Sequence, residues 1–495
     1  MYLRKEKTTL NLLCMYIFKK TRSLITDHRS LQNRSLITDH RSLQTRSLIT
    51  DHRSPQNRSL ITAFLFTFIV STTSAQTPLR LEEAIQLALE NNHGILIAKY
   101  RADQASTDAS LGNAGFLPSI SVDGARNFSV TDVNQTFQDG RKIENNGIKA
   151  NNYNIGPRLE WTLFDGFAMF LRRDQLQQLD EVGQLQFRAR VEATLAELTM
   201  AYFNVARQQK LLDVLAASIE ISEQRLKIAE DKFDVGSGAR VEVLQAQVAL
   251  NEDQSAWRAQ QVQLRNAQLD LNALMGVDPA SIFELNDQAQ LGERLSIESL
   301  MVLAKQSNPS LQVSRMEVDL ARLNLRLTQS GVLPSLTVTT SYIFTGSQNS
   351  AGFFVQQDNQ GLNYGLVARM PLFDGFNKHR TIQQARINQK IAETEWSLAQ
   401  QQLEAELLAV FTKYSSDLEL LRSERENLLV AQENADIALE RFQLGTYTPV
   451  ELREAQQALL NTESRLASAI YGAKATETQL LYLSGQLRGN KLDLK

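Results

Sequence analysis

Two aspartates are the first residues in this sequence that could do chemistry. Asp165 and Asp374 each occupy the centre of an identical pentapeptide, LFDGF, at residues 163–167 and 372–376. A carboxylate pair suits general acid–base work, provided a nucleophile, a second base or a metal stands beside it. The sequence supplies none of these. Its one cysteine, Cys14, and three of its five histidines, His28, His40 and His52, all precede Gln76. His93 and His379 are too few and too far apart to form a ligand cluster. No phosphate loop or nucleophile–base pattern appears, so no catalytic residue, metal or cofactor is expected. Aspartate is favoured at helix N-caps and first turns, and the glycine after it eases a bend from strand to helix, so both aspartates read as helix-start residues.

The elements that must hold them are set by proline and by hydrophobic period. Of nine prolines, none lies between Pro157 and Pro279 or between Pro371 and Pro449, so two long stretches never meet the residue that breaks helices. Residues 167–233 contain only Gly183 as a helix weakener, and residues 377–444 contain neither glycine nor proline. Each stretch predicts a helix on the order of 100 Å long, at about 1.5 Å per residue. Leu403, Leu407, Val410, Tyr414, Leu418 and Leu421 follow the 3/4 spacing of a coiled coil. Each long helix ends at a glycine-bearing turn, Gly236-Ser237-Gly238 or Gly445-Thr446-Tyr447, and a return helix follows from Val241 or Val450, which predicts two helical hairpins.

Ahead of each long helix the period changes to two. Ile120, Val122, Phe128 and Val130 alternate with polar residues, and Tyr153, Ile155, Leu159, Trp161 and Leu163 return. In the second half Leu336, Val338, Tyr342 and Phe344 are answered by Leu362, Tyr364, Leu366, Ala368 and Met370. Four strands of about ten residues are expected, the length a tilted strand needs to cross a bilayer, with residues 131–152 and 346–361 as polar connecting loops.

The chain repeats itself. LRLEEAIQLALENN from Leu79 answers LSIESLMVLAKQSN from Leu295, and GFLPSI from Gly115 answers GVLPSL from Gly331, both at an offset of 216. LFDGF and the tip segments FDVGSGARVEVLQAQ and FQLGTYTPVELREAQ recur at an offset of 209. The offset changes only between two strands, where a loop tolerates a change of length. The expected units are a leader at 1–75 and two repeats at 76–286 and 287–495.

The leader holds three copies of a twelve-residue unit, RSLITDHRSLQN with small changes, over residues 22–57. Arg58, the apolar run LITAFLFTFIV and the small residues Thr73, Ser74 and Ala75 then read as a signal peptide cleaved before Gln76. Residues 1–75 hold 12 of the 52 Lys+Arg and 4 of the 55 Asp+Glu, leaving 40 against 51 and a net charge of about −11. Nucleic acid is an unsuitable partner for such a chain.

An export signal with bilayer-length amphipathic strands points to the outer membrane. Four strands cannot close a barrel, and an open sheet edge in lipid leaves backbone groups unpaired, so other copies of the chain must complete it. The helices carry too mixed a surface to face hydrocarbon and would project into the periplasm.

The duplicated unit, LPS before each first strand (residues 117–119 and 333–335), LFDGF at each strand-to-helix junction and the glycine tips together resemble the TolC family of outer-membrane efflux proteins, over residues 76 to about 487. That resemblance implies a mainly α protein with a small β part. It also implies a homotrimer whose twelve-stranded β-barrel stands in outer-membrane lipid on a twelve-helix periplasmic tunnel. The function it implies is passive: an exit duct for a tripartite efflux pump or a type I secretion system, joined by a periplasmic adaptor to an inner-membrane RND or ABC transporter. Matching by the tips makes Gly236, Ser237, Gly445 and Thr446 adaptor-docking residues, and places Glu242, Glu451 and Glu454 at the periplasmic aperture. Rings of such carboxylates would favour cations and could bind divalent ions; helix N-terminal acids that complement the macrodipole are the plainer alternative. One departure is Tyr447, where relatives often carry an arginine, with Arg240 nearby in the first repeat. A soluble periplasmic coiled-coil adaptor is the competing reading, but it has no need of four bilayer-length strands or of a second copy of the unit.

Overall fold

The structure, a computed structural model, describes residues 78–285, 291–292, 294–350 and 354–487. The repeats and signal sequence of the leader, with Cys14, lie outside the described residues.

One order of six elements occurs twice. The first set is α1 (Leu81–Asn91), α2 (His93–Asp108), β1 (Ser119–Thr136), β2 (Lys142–Asp165), α3 (Ala168–Asp234) and α4 (Arg240–Met275). The second is α5 (Ile297–Ser307), α6 (Pro309–Ser330), β3 (Ser335–Asn349), β4 (Gln356–Arg369), α7 (Asn377–Gln443) and α8 (Pro449–Leu483). The long helices α3 and α7 have 67 residues each, so each runs about 100 Å. Length without proline is only permissive; packing against α4 and α8 holds them, because isolated helical propensity is too weak to do so.

Apolar burial is duplicated with the elements. Ala84, Ala88, Leu198, Val205 and Leu271 are buried in one cluster. Their counterparts at the two offsets, Leu300, Ala304, Leu407, Tyr414 and Leu480, are buried in another. The coiled-coil positions read from the sequence fall here: Leu407 and Tyr414 are buried, with Leu403, Val410 and Leu418 packed against them. Alanine recurs at these positions because a small side chain lets helix backbones approach closely.

The four strands form one antiparallel sheet in the order β1-β2-β3-β4. They are longer than expected, at 18, 24, 15 and 14 residues. The polar segments taken for loops are largely strand: β1 continues to Thr136, β2 begins at Lys142, and the register runs as far as Thr136 opposite Lys142. Ladder hydrogen bonds use backbone groups alone, so Asn, Gln and Thr can extend a hairpin past the apolar band into water. Among the described residues nothing covers the sheet sides bearing Val122, Phe128, Val130 and Tyr364, and Tyr364 is 82% exposed.

The junction from strand to long helix departs from a simple capped start. Gly166 and Phe167 both have positive φ, 72° and 69°, as do Gly375 and Phe376, 68° and 63°. The left-handed region costs a residue with a Cβ about 1–2 kcal/mol. Edge-to-face packing of Phe164 on Phe167 and of Phe373 on Phe376, at 5.1 and 5.4 Å between ring centroids, offsets part of that.

Candidate functional site

The two aspartates are occupied by their own helices. Asp165 Oδ1 accepts the Met169 N–H at 3.0 Å, and Asp374 Oδ2 accepts the Lys378 N–H at 3.0 Å. Each therefore satisfies a first-turn donor that has no partner inside the helix. They do so from two residues ahead of the N-cap, a position that Phe167 or Phe376 takes instead.

At the opposite end of the long helices the two tips are built alike. Gly236 N–H donates to Phe233 O at 2.9 Å, and Ser237 N–H donates to Lys232 O at 2.9 Å. In the second tip Gly445 N–H donates to Phe442 O at 3.1 Å, and Thr446 N–H donates to Arg441 O at 3.0 Å. The hydroxyls add a bond to the same carbonyls, Ser237 to Lys232 and Thr446 to Arg441. Gly236 and Gly445 have φ of 78° and 73°, and an added Cβ would meet nothing within 4 Å at either. Glycine is required there for conformation, not for space. All four tip residues, Gly236, Ser237, Gly445 and Thr446, are exposed.

The three glutamates occupy different settings. Glu451 closes a capping box: its carboxylate accepts the Thr448 N–H at 2.7 Å and the Thr448 hydroxyl at 2.8 Å, while Thr448 Oγ1 accepts the Glu451 N–H. The Thr448 backbone bond, then the hydroxyl bond, holds the Glu451 carboxyl below the ordinary glutamate range. Glu454 is exposed one turn on, and Glu242 is half-buried in the first turn of α4.

Glu242 lines a groove of about 820 Å³ between the two hairpins, together with Arg225, Lys232, Val248, Thr448 and Arg453. Glu451 and Glu454 are not among its lining residues. The structure thus brings Glu242 to the Thr448–Arg453 segment without joining all three carboxylates in one site.

A polar cluster beside the groove has no counterpart in the sequence reading. Arg453 Nη2 lies 3.1 Å from Glu252 Oε2 and so ties the second tip to α4. The Ser222 hydroxyl donates to Asp253. Burial, then the nearby Arg453 charge, lowers the Arg225 pKa, and Asp253 opposes the shift. Arg453 stands four residues after Pro449 and Glu252 twelve after Arg240. Nothing in either position signals the other, because their meeting depends on how the hairpins are staggered. Tyr447 is engaged within its own turn, with the Arg441 guanidinium 5.2 Å above its ring.

Among the described residues no three of His, Cys, Asp and Glu converge as a metal site. No described helix is long and apolar enough to cross a membrane.

Sequence comparison decides the family: the outer membrane efflux protein pattern matches residues 84–277 and 300–486, one stretch in each half. The chain belongs to the outer membrane efflux protein family. Outer membrane protein TolC of Vibrio cholerae is 23% identical over 428 residues, covering 86% of this chain and 94% of that protein. The proteases secretion protein PrtF of Dickeya chrysanthemi is 24% identical over 435 residues, covering 86% and 92%. The fold is that of solved outer-membrane channels. The Campylobacter jejuni CmeC channel superposes with a TM-score of 0.70 at 17% identity, covering 82% of this chain and 85% of that one. VceC of Vibrio cholerae gives 0.67, also at 17% identity, covering 82% and 96%. This efflux-family chain is therefore an outer-membrane transport protein with a large periplasmic helical portion.

Proposed function

We propose that the chain is one third of a passive exit duct, a homotrimer that closes a twelve-stranded barrel in lipid and a twelve-helix tunnel below it. The observation that carries this reading is the pair of sheet edges, β1 and β4, that no other strand among the described residues pairs. They stand beside exposed apolar residues such as Val122 and Tyr364. In hydrocarbon an unpaired N–H or C=O costs several kcal/mol, on the order of 2–7 per group, so those edges require copies of themselves. Three chains of four strands give twelve, a barrel wide enough to transport through.

The tips, with Gly236, Ser237, Gly445 and Thr446 exposed at the far end of α3 and α7, are the surface for a periplasmic adaptor that couples the duct to an inner-membrane RND or ABC transporter. Glu242, Glu451 and Glu454 near the tips set the charge of the aperture, and no catalytic step belongs to the protein. Residues 1–75 act as the leader, with 76–286 and 287–495 as the repeats. Reconstitution into planar bilayers tests the reading: the purified protein gives discrete ion-conducting steps, and a protein that leaves the bilayer silent while remaining folded refutes it.

A further inference from the structure

The repeat leaves a template for the seam between subunits. β1 corresponds to β3 at an offset of 216 and β2 to β4 at an offset of 209: SISVDGARNF reads against SLTVTTSYIF, and Asn154, Gly156 and Leu163 read against Asn363, Gly365 and Leu372. The correspondence governs backbone pairing as well as sequence. In the first hairpin Ser119 pairs with Glu160 and Val122 with Pro157. Adding the two offsets gives Ser335 with Arg369 and Val338 with Leu366, which are pairs of the second hairpin.

Between the repeats, β2 pairs with β3, with Glu160 opposite Thr339 and Ile155 opposite Phe344. Within a closed assembly the junction of β4 with the β1 of a neighbour is the repeat-related equivalent of that internal seam. Resting on the oligomeric reading above, we infer that β4 joins the next copy's β1 in the transferred register, placing Arg369 opposite Asp123 of the partner subunit and Tyr364 opposite Phe128 of the partner subunit.

The side-chain pattern checks this register independently. Successive residues of a strand face opposite sides of the sheet, so a slip by one would set apolar against polar along the whole seam. In the transferred register most of the apolar residues share a side: Met370 meets the partner's Val122, Tyr364 meets the partner's Phe128, and Leu362 meets the partner's Val130, with Leu366 opposite the partner's Arg126 as the exception. Within one protomer these side chains are left open, Phe128 at 72% and Leu362 at 59% exposure. Asp123 and Arg369, both exposed in one copy, fall together on the other side, which faces the lumen. A cross-strand aromatic pair and a cross-strand ion pair are the contacts that fix strand register elsewhere. The occupant of each edge is therefore a second copy of this chain, held at a defined offset.

Cysteine cross-linking of the full chain in outer membranes tests the register. Cys14 is the sequence's single cysteine, so Cys14→Ser supplies a thiol-free background. Directly opposed residues in an antiparallel pair lie about 4.5–5.5 Å apart at Cα, inside the span a disulfide bridges, whereas a two-residue slip puts them at about 8 Å, outside it. Within one protomer the two edges are three strand spacings apart, about 14 Å, so any bond joins different chains. Asp123→Cys with Arg369→Cys is expected to give reducible cross-linked oligomers at least about 10-fold more abundant than Asp123→Cys with Val367→Cys. Equal or greater cross-linking of the slipped pair overturns the register. Trimeric mass with no bond at 123 and 369 also overturns the register while leaving the duct intact, and monomeric mass with no bond at any pair removes both. Should cysteine disturb folding, the exchange Asp123→Arg with Arg369→Asp provides a second readout. Each single change is expected to lower the oligomer's melting temperature and the double exchange to restore it; no restoration counts against the pair.

Discussion

Asn92 and Asn308 are counterparts at the repeat offset of 216 and perform the same two tasks. Each side chain caps the helix that follows, Asn92 accepting the Ile95 N–H at 3.1 Å and Asn308 the Leu311 N–H at 3.0 Å. Each amide also donates to the last turn of its own return helix, Asn92 to Leu274 O at 2.8 Å and Asn308 to Leu483 O at 3.0 Å. Both residues are buried. One side chain thereby joins the beginning of a repeat to its end, and does so twice.

Asn92→Ala and Asn308→Ala are each expected to cost about 2 kcal/mol, roughly half from the cap and half from the tertiary hydrogen bond. Aspartate at the same position keeps the cap and loses the donor, so its cost should be intermediate. Thermal melting of the detergent-extracted protein checks the order of wild type, Asp and Ala; three coincident curves would contradict it.

Glycine gives a sharper contrast. Gly276 and Gly485 have φ of 68° and 69°, and an added Cβ would come within 2.6 Å of the Asn91 carbonyl oxygen and 2.7 Å of the Ser307 carbonyl oxygen. Gly445 has a similar φ of 73° with nothing nearby. Gly445→Ala should therefore cost only about 1–2 kcal/mol of backbone strain. Gly276→Ala and Gly485→Ala add a clash with backbone and should sharply lower the yield of folded protein. Membrane-fraction immunoblots of the three variants decide the matter, and equal yields would be the contrary result.

The capping box at Glu451 makes a prediction about acid. Its carboxyl is held below the ordinary glutamate range by the Thr448 backbone and hydroxyl bonds, so the unfolded chain takes up that proton more readily. The contribution to stability is present above the unfolded value and fades as pH falls through the folded one. Glu451→Gln should remove a small acid-side slope from the melting temperature and leave the neutral region nearly level. A wild type and variant whose curves stay parallel from neutral pH to well below the ordinary glutamate range would speak against the box.

If Glu451, Glu454 and Glu242 govern the charge of the aperture, their glutamine variants change selectivity. Glu454→Gln, which touches no cap, is the cleanest of the three and should shift the bilayer reversal potential toward anions under a salt gradient. An unchanged reversal potential would return the glutamates to helix-end roles alone.

The sequence made the repeated elements legible because repetition is recorded residue by residue: LENN recurs as KQSN at an offset of 216, and the segments 167–233 and 377–444, read from the LFDGF junctions and the tip glycines, match α3 and α7 to within a residue. Strand length was harder to read, since the polar residues of β1 beyond Val130 gave no apolar alternation while their backbones still pair out to Thr136. The left-handed Phe167 and Phe376 were hidden for a similar reason: phenylalanine carries no signal for positive φ, and the ring packing that accompanies it, Phe167 on Phe164 and Phe170 and Phe376 on Phe373, is visible only in the fold. Of the tip region, the turns were visible through their glycines, whereas the bond from Arg453 to Glu252 was not. It joins residues 201 apart whose proximity is set by the packing of one hairpin on the other.

The duct, its aperture and its seam all depend on the protomer being a fraction of a closed object. Native mass spectrometry of the full-length protein, extracted from outer membranes in mild detergent, measures that directly. Three chains per particle is the predicted mass; a folded particle containing a single chain would contradict the account.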